Sequence, residues 1–476
     1  MEPDPATPAL TATPPPGRRG GLRSRQVGVV VLNHDGGDLT LRCLRSVLAT
    51  KLPGGRLAVV LVDNASRDGV ADAVGAELPQ VTVVRSERNL GFAGGCNLGV
   101  SRLGTVDYVA LLNNDATVAP DWLTPLVEAL EADRTVGAAC PKILFDRAFV
   151  DVHVASPTAA RGVGDRRPLG VQVGGVRLDG TDGWRDAQLV SGFWGIEHGR
   201  DGTPFQWTDG AARLRVPVRR DRSLPEAALR LAGPGARTVT LTSGEERTEV
   251  VVSPEPGWYD VALGGEPFDV VNNVGSVLLD GGHGADRGYL ERDEGQYEET
   301  EEVFAWCGAA VLLSRRYLDD VGVFDERYFL YYEDFDLAWR GRARGWRYLY
   351  VPGPPVRHVH SASTVENSRL HHHYSERNRL LTLTRNAPGP MVAREAVHHV
   401  LVTASYARRD VFHPLAHRQA PSWETVRRRS AAFASFVAGS PYALGARRRL
   451  RRRQRVPDGE LLAWAAAPGG RRADPG

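Results

Sequence analysis

Val27-Gly28-Val29-Val30-Val31-Leu32-Asn33-His34 is the stretch on which the fold turns. An apolar, mostly β-branched run with no polar alternation fits a strand covered on both faces, the condition of a strand in a parallel sheet. Downstream, Leu39–Ala49 carries apolar residues at helical spacing, and Leu57–Val62 repeats the buried strand and ends at Asp63-Asn64. A helix is expected over Val70–Glu77, a strand over Val81–Val84, a helix over Gly95–Leu103 and a strand over Tyr108–Leu112. Strand and helix alternating at this interval specify a doubly wound α/β sheet. Its strands run into polar loops, where sheets of this kind bind ligands.

The chain has 476 residues, more than one ordinary core holds. Composition is that of a globular protein, and the net charge is only +2. Arginines crowd one end, as in Arg447-Arg448-Arg449-Leu450-Arg451-Arg452-Arg453, which suggests an anionic surface there. Cys43, Cys96, Cys140 and Cys307 lie far apart without CxxC spacing, against a zinc site or a disulfide framework and consistent with a reducing compartment. Residues 1–24 read as a disordered tail rather than a signal peptide. The sequence has no apolar run of the roughly 20 residues that span a bilayer, so a soluble or peripheral protein is expected.

Five constellations carry chemistry. Asn113-Asn114-Asp115 stands at a strand tip, where a carboxylate can hold Mg²⁺ or Mn²⁺ beside substrate phosphates. Asp115 can equally cap a helix starting near Pro120. Asp63 is placed to accept hydrogen bonds from a nucleoside, or to close an Asx-turn. Arg88-Asn89-Leu90-Gly91-Phe92-Ala93-Gly94-Gly95-Cys96-Asn97 is a glycine-rich loop running into a helix N-terminus, an anion site, but it matches neither GxGxxG nor a P-loop. Tyr331-Tyr332-Glu333-Asp334-Phe335-Asp336 sets carboxylates among aromatics, surroundings that raise a carboxylate's pKa and suit it to act as a base. His358 and His360 offer a ligand for a metal or a phosphate. His371-His372-His373 reads as a solvated helix face.

In this order the motifs resemble those of the family-2 glycosyltransferases with the GT-A fold, a Rossmann-like mixed α/β sheet, and especially the bacterial rhamnosyltransferase-like branch. The resemblance implies an inverting, metal-dependent transferase of polysaccharide biosynthesis, and it assigns roles to particular residues. Asp63, with Asn33 and His34, contacts the nucleoside. Asn89, Gly91, Gly94 and Asn97 form the donor loop together with Asn113 and Asn114. Asp115 holds the divalent cation, with His358 as first choice and His360 as second for the partnering imidazole. Trp306, in Trp306-Cys307-Gly308-Ala309, stacks on the acceptor sugar, with core packing as the other reading. Asp334 is the general base, supported by Glu333 and Asp336. Tyr374, Arg377 and Asn378 form a Tyr-x-x-Arg-Asn pattern with no assigned role. The partners implied are a nucleotide-sugar donor, first dTDP-rhamnose, and a glycan or lipid-linked glycan acceptor. The place implied is the cytoplasm, peripherally on the inner face of the plasma membrane.

The resemblance covers Val27–Asp146 and Asn273–Pro388. The expected parts are a nucleotide-sugar half (25–146), an inserted β-sandwich-like module (147–272), an acceptor half (273–388) and a basic helical region (389–476). Trp184, Phe193, Trp194, Phe205, Trp207 and Trp258 in the insert suit either a glycan platform or a sandwich core. Apolar residues among the C-terminal arginines suit a helix lying on anionic lipid, or a solvated tail. No nucleic-acid-binding motif accompanies the arginines. A glycosidase would use a carboxylate pair without a phosphate loop. A glycan-binding protein on a transferase scaffold is the rival reading.

Overall fold

The computed structural model describes residues 25–160, 167–199, 201–220, 224–359 and 368–466; the tail expected over 1–24 and His360 lie outside them. The first half alternates as the sequence predicts: β1 (Arg25–Asn33), α1 (Asp38–Leu48), β2 (Gly55–Asn64), α2 (Val70–Glu77), β3 (Val81–Ser86), α3 (Gly91–Arg102) and β4 (Tyr108–Asn113). These four strands are parallel in the order β3-β2-β1-β4. Register sets Asn33 beside Asp63, and Leu32 beside Asn113, so the polar strand tips share one edge of the sheet.

After β5 (Ala116–Thr117), α4 (Leu123–Ala132), β6 (Val136–Cys140) and β7 (Ile143–Phe145), the sheet is completed from far along the chain. Ala310–Ser314 lies antiparallel between β4 and β6, Arg347–Tyr350 runs parallel to β6, and Glu301–Glu302 forms the edge. Both faces are buried. Val29 and Val31 point into one core while Val30 points into the other, which is why β1 shows no polar alternation.

A second, four-stranded sheet runs Val271–Asn273, β7, Val356–His358, β5. It sets His358 opposite Ala116, the neighbour of Asp115.

The insert leaves this small sheet after β7 and returns where Phe149 and Phe268 exchange both backbone hydrogen bonds at 2.9 Å. It is an all-β module built on the long strand Pro204–Val218. Ala148–Ala155 pairs with the second part of that strand, and Gln172–Leu178 with the first. Every second residue faces one core: Val150, Val152 and Val154; Leu214, Val216 and Val218; Val239 and Leu241. Each such side chain contributes about 1.5–3 kcal/mol on burial. The core is aliphatic. Of the insert's tryptophans and phenylalanines, Trp184 and Phe193 pack partly buried against that core, and Trp258 is 40% exposed under the Arg177 guanidinium.

After the insert the chain continues through α5 (Arg315–Val321) and α6 (Glu333–Arg342). The helices that follow are α7 (Arg369–Asn386), α8 (Gly389–Ala407) and the long helix Glu424–Arg453. Leu380 and Leu381 of α7 share a cluster with Phe436 and Ala443 of the long helix, so α7 packs with the later helices. The two run parallel: Arg369 reaches Glu424 at one end, and Arg447 donates to the carbonyl of Thr384 at the other. Two arginines of the basic run are thereby turned inward. Arg447 and Arg451 satisfy the last carbonyls of α7, where a helix C-terminus favours cations. Among the described residues no helix is long and apolar enough to cross a membrane.

Candidate active site

A cavity of about 690 Å³ opens where the strand tips of the first half meet the small sheet and the N-terminus of α6. Its wall includes Asn89, Gly91, Asn113, Asn114, Asp115, Glu333, Asp334 and His358, which the sequence singles out across more than 260 positions.

At one side stands a network of amides. His34 Nδ1 lies 3.1 Å from the carbonyl oxygen of Asn64, so it carries the proton, and Nε2 accepts from the Asn89 amide at 3.0 Å. Asn64 donates to the Asn89 side chain and to the Gly91 carbonyl, and accepts from the Leu90 N–H. Asn64 escaped the sequence reading, although it adjoins Asp63. The glycines expected as a loop are already the first turn of α3. The carbonyl of Phe329 accepts from the N–H groups of Phe92 and Ala93 and so caps the helix early. Gly91 has φ +69°, and a Cβ there would come within 2.2 Å of the Phe329 oxygen, so this contact admits only glycine.

At the centre, His358 Nε2 is 3.1 Å from Asp115 Oδ1 and 3.2 Å from the Asn113 amide nitrogen. Nδ1 faces the Asn272 side-chain oxygen at 3.0 Å, which fixes the proton there. In that tautomer the Nε2 lone pair points beside a carboxylate oxygen. Two such electron-pair donors at this distance suit a shared cation, and a hard divalent ion that keeps substrate phosphates in its shell needs only one or two protein ligands. Among the described residues no three His, Cys, Asp or Glu side chains converge as a metal group, so a cation here would draw its other ligands from the donor. Asp115 does not cap α4, whose N-cap is Trp122.

Opposite, Asp334 stands in the first turn of α6. Its Oδ2 accepts from the Gly308 N–H at 2.9 Å, and its Oδ1 from the Phe335 N–H at 2.7 Å. Burial pushes its carboxyl above the usual range, although these N–H groups pull the other way. Glu333 is pushed well above its ordinary value by burial and by the adjacent Asp334 charge.

The loop that presents this pair is wound against its preference. Phe329, Tyr331 and Tyr332 have φ of 64°, 68° and 69°, a left-handed conformation that strains side chains of this bulk. The Tyr-x-x-Arg-Asn pattern holds it. The fully buried Asn378 amide faces the carbonyls of Tyr328, Leu330 and Tyr331 at 2.8–3.0 Å. Arg377 donates to those of Arg327 and Tyr328, and Tyr374 stacks on Phe329.

Six expected site residues stand apart from the cavity wall. Trp306 is fully buried beside Phe324, and its segment reaches the cavity through Cys307 and Gly308 instead. Asp336 is fully buried between Arg340 and Arg385. Burial alone would raise its carboxyl, but the two guanidiniums hold it below the usual range, so it anchors α6 to α7 rather than supporting the base. Asn33 is fully buried. It accepts from Thr40 and Asn114 and donates to Ser66, bracing the loops behind the wall. Asn97 ties α3 to the backbone of Phe324, and Gly94 faces Leu90 and Glu326. Asp63 accepts from the Ser66 N–H three residues on at 3.0 Å, which holds the turn after β2. Asn272, Ser276 and Asp286 line the cavity without having been read from the sequence; they lie at and beyond the end of the insert, where no motif marks them.

Residues 27–164 match the family described as Glycosyl transferase family 2. An 82-residue stretch is 42% identical to N-acetylglucosaminyl-diphospho-decaprenol L-rhamnosyltransferase of Mycobacterium tuberculosis (strain CDC 1551 / Oshkosh), covering 16% of this chain and 27% of that protein. Over 107 residues it is 33% identical to the succinoglycan biosynthesis protein ExoO of Rhizobium meliloti (strain 1021), covering 22% and 30%. The matches thus span less than a third of either curated relative. Among solved structures, GalNAc-T7 with UDP, GalNAc and Mn²⁺ aligns over 89% of this chain and 58% of its own, at 14% identity and a TM-score of 0.41.

Proposed function

We propose that this chain, a family-2, rhamnosyltransferase-like glycosyltransferase by its residues 27–164, moves a sugar from a nucleoside-diphosphate donor to a hydroxyl of a cell-wall or surface polysaccharide precursor, with inversion. The observation that carries the reading is that Asp334 faces the same cavity as Asp115 and His358, a pair that itself joins the two halves of the chain.

Asp334 takes the proton of the attacking acceptor hydroxyl. Its raised pKa makes it a stronger base than an exposed carboxylate, and the Gly308 and Phe335 N–H groups hold it in place. The early turn of α3, with Asn64, Asn89 and His34, receives the donor's nucleotide end, and Asp63 at the tip of β2 braces the turn behind them. Asp115 and His358 would hold a Mg²⁺ or Mn²⁺ ion, which supplies charge neutralisation for the departing diphosphate. Glu333, buried beside Asp334, has its own carboxyl pushed well above the ordinary value by burial and by the Asp334 charge. The similarity to a rhamnosyltransferase makes dTDP-rhamnose the first donor to try and a lipid-linked glycan the first acceptor, met on the inner face of the plasma membrane.

The test is thermal denaturation with a panel of nucleotide sugars, with and without Mn²⁺. A ligand at about a hundred times its Kd stabilises the native state by about 2.7 kcal/mol. One nucleotide-diphosphate sugar should raise the midpoint only with metal, and Asp115→Ala should abolish the rise. A chain stabilised by free glycans and by no nucleotide sugar is a glycan-binding protein instead.

A further inference from the structure

Thirteen large apolar side chains are conspicuously exposed among the described residues, and six of them fall between 397 and 423: Val397, Val400, Leu401, Phe412, Leu415 and Trp423, each 47–62% exposed. They are not scattered. The backbone stays helical from Gly389 through the five-residue π turn Arg408–Phe412 to Ala416. Along this helix Val397, Leu401, Ala404, Arg408, Phe412 and Leu415 follow at intervals of four, three, four, four and three. They form one outward stripe, while Glu395, His399 and Val411 face inward. The N–H of Ser422 donates to the carbonyl of Asp410 and brings Trp423 beside the turn.

The charge around the stripe has one sign. Arg408, Arg418 and Arg427 are exposed and have no carboxylate partner among the described residues, and the acids nearby are already engaged, Asp410 by Arg409 and Glu424 by Arg369. A second copy laid on this face would set arginine against arginine across the stripe. A surface of anionic headgroups over acyl chains matches both features. It takes apolar side chains to a shallow depth and arginines at the level of the phosphates.

Position gives the surface a purpose. Arg369–Glu424 and Glu376–Arg429 join this end of the helices to the start of α7, where Leu370, His371 and Ser375 line the cavity mouth. We infer that the stripe Val397–Leu415, with Trp423, docks the protein on an anionic lipid surface beside the mouth of its own active site. Delivery of an acceptor from that surface rests on the function proposed above; the docking does not.

The full chain is floated with vesicles of phosphatidylcholine alone and with phosphatidylglycerol added. Flotation is expected only with the anionic vesicles, weakening with salt. It should fall by about tenfold in Arg408→Glu and be abolished in Phe412→Asp/Leu415→Asp. Both variants should keep the wild-type melting midpoint and the donor-induced rise, since the altered side chains are exposed. Equal flotation with neutral vesicles, none with anionic ones, or wild-type flotation of the double variant overturns the inference. So does light scattering that shows a dimer dissociated by Phe412→Asp. A chain that floats but is shifted by no nucleotide sugar retains the docking surface and loses the transferase reading.

Discussion

Asp334 and Asp336 are two positions apart on one helix, and the structure gives them opposite jobs. Asp334 faces the cavity with its carboxyl raised by burial; Asp336 is sealed between two guanidiniums that hold it low. We expect Asp334→Asn to lower kcat by about 10²–10⁴-fold while the donor-induced melting shift survives. In the wild type, kcat should fall as pH drops through the raised pKa of Asp334, so the acid limb lies above the ordinary carboxylate value of about 4. Asp336→Asn should instead destabilise the fold by about 3–5 kcal/mol, read by chemical denaturation, because Arg340 and Arg385 keep their charge in the interior. The depressed pKa of Asp336 contributes stability at neutral pH, lost only as pH falls below the ordinary carboxylate range. Sequence alone could not separate the two acids. Both sit in the first turn of an acidic helix, and the arginine that matters most, Arg385, comes from α7.

At the level of elements, the loop before α6 is held by α7 and by α3, and neither contact is local in sequence. Asn378→Ala leaves the carbonyls of Leu330 and Tyr331 without their donor, a loss of about 1–3 kcal/mol. The visible outcome should be in turnover. With the loop relaxed, Asp334 shifts, and kcat should drop about a hundredfold while the donor-induced melting shift is kept. An Asn378→Ala enzyme with wild-type kcat and only a lower midpoint would make the clamp purely structural. The motif was legible as a pattern before its work was. Its spacing puts Tyr374, Arg377 and Asn378 on one helix face, but the carbonyls they reach belong to a left-handed turn that no propensity of Phe329, Tyr331 or Tyr332 announces. The first turn of α3 was missed for the same reason. Its glycines disfavour helix, and the cap that overrides them is contributed by Phe329, more than two hundred residues away.

On the scale of the whole molecule, the alternating first half was readable because each buried strand declares itself by an unbroken apolar run. The insert declared itself by its change of period. The chain enters and leaves it through a single pair, Phe149 and Phe268. Replacing residues 150–267 by a short glycine–serine turn should therefore leave a folded protein that still shows the donor-dependent rise in melting midpoint. Loss of that rise in a folded excision variant would make the module part of the donor site. What could not be read was how the two halves complete each other, since strand order depends on contacts across the insert.

That order also matters before the protein is finished. β4 emerges from the ribosome roughly two hundred residues ahead of Ala310–Ser314, the strand that closes its open side. At about 5–20 residues per second the wait is about 10–40 s. Throughout it, the nascent half-sheet presents an unpaired apolar strand while the inserted module is being made. The insert's length thus sets how long that edge waits for its partner strand during synthesis.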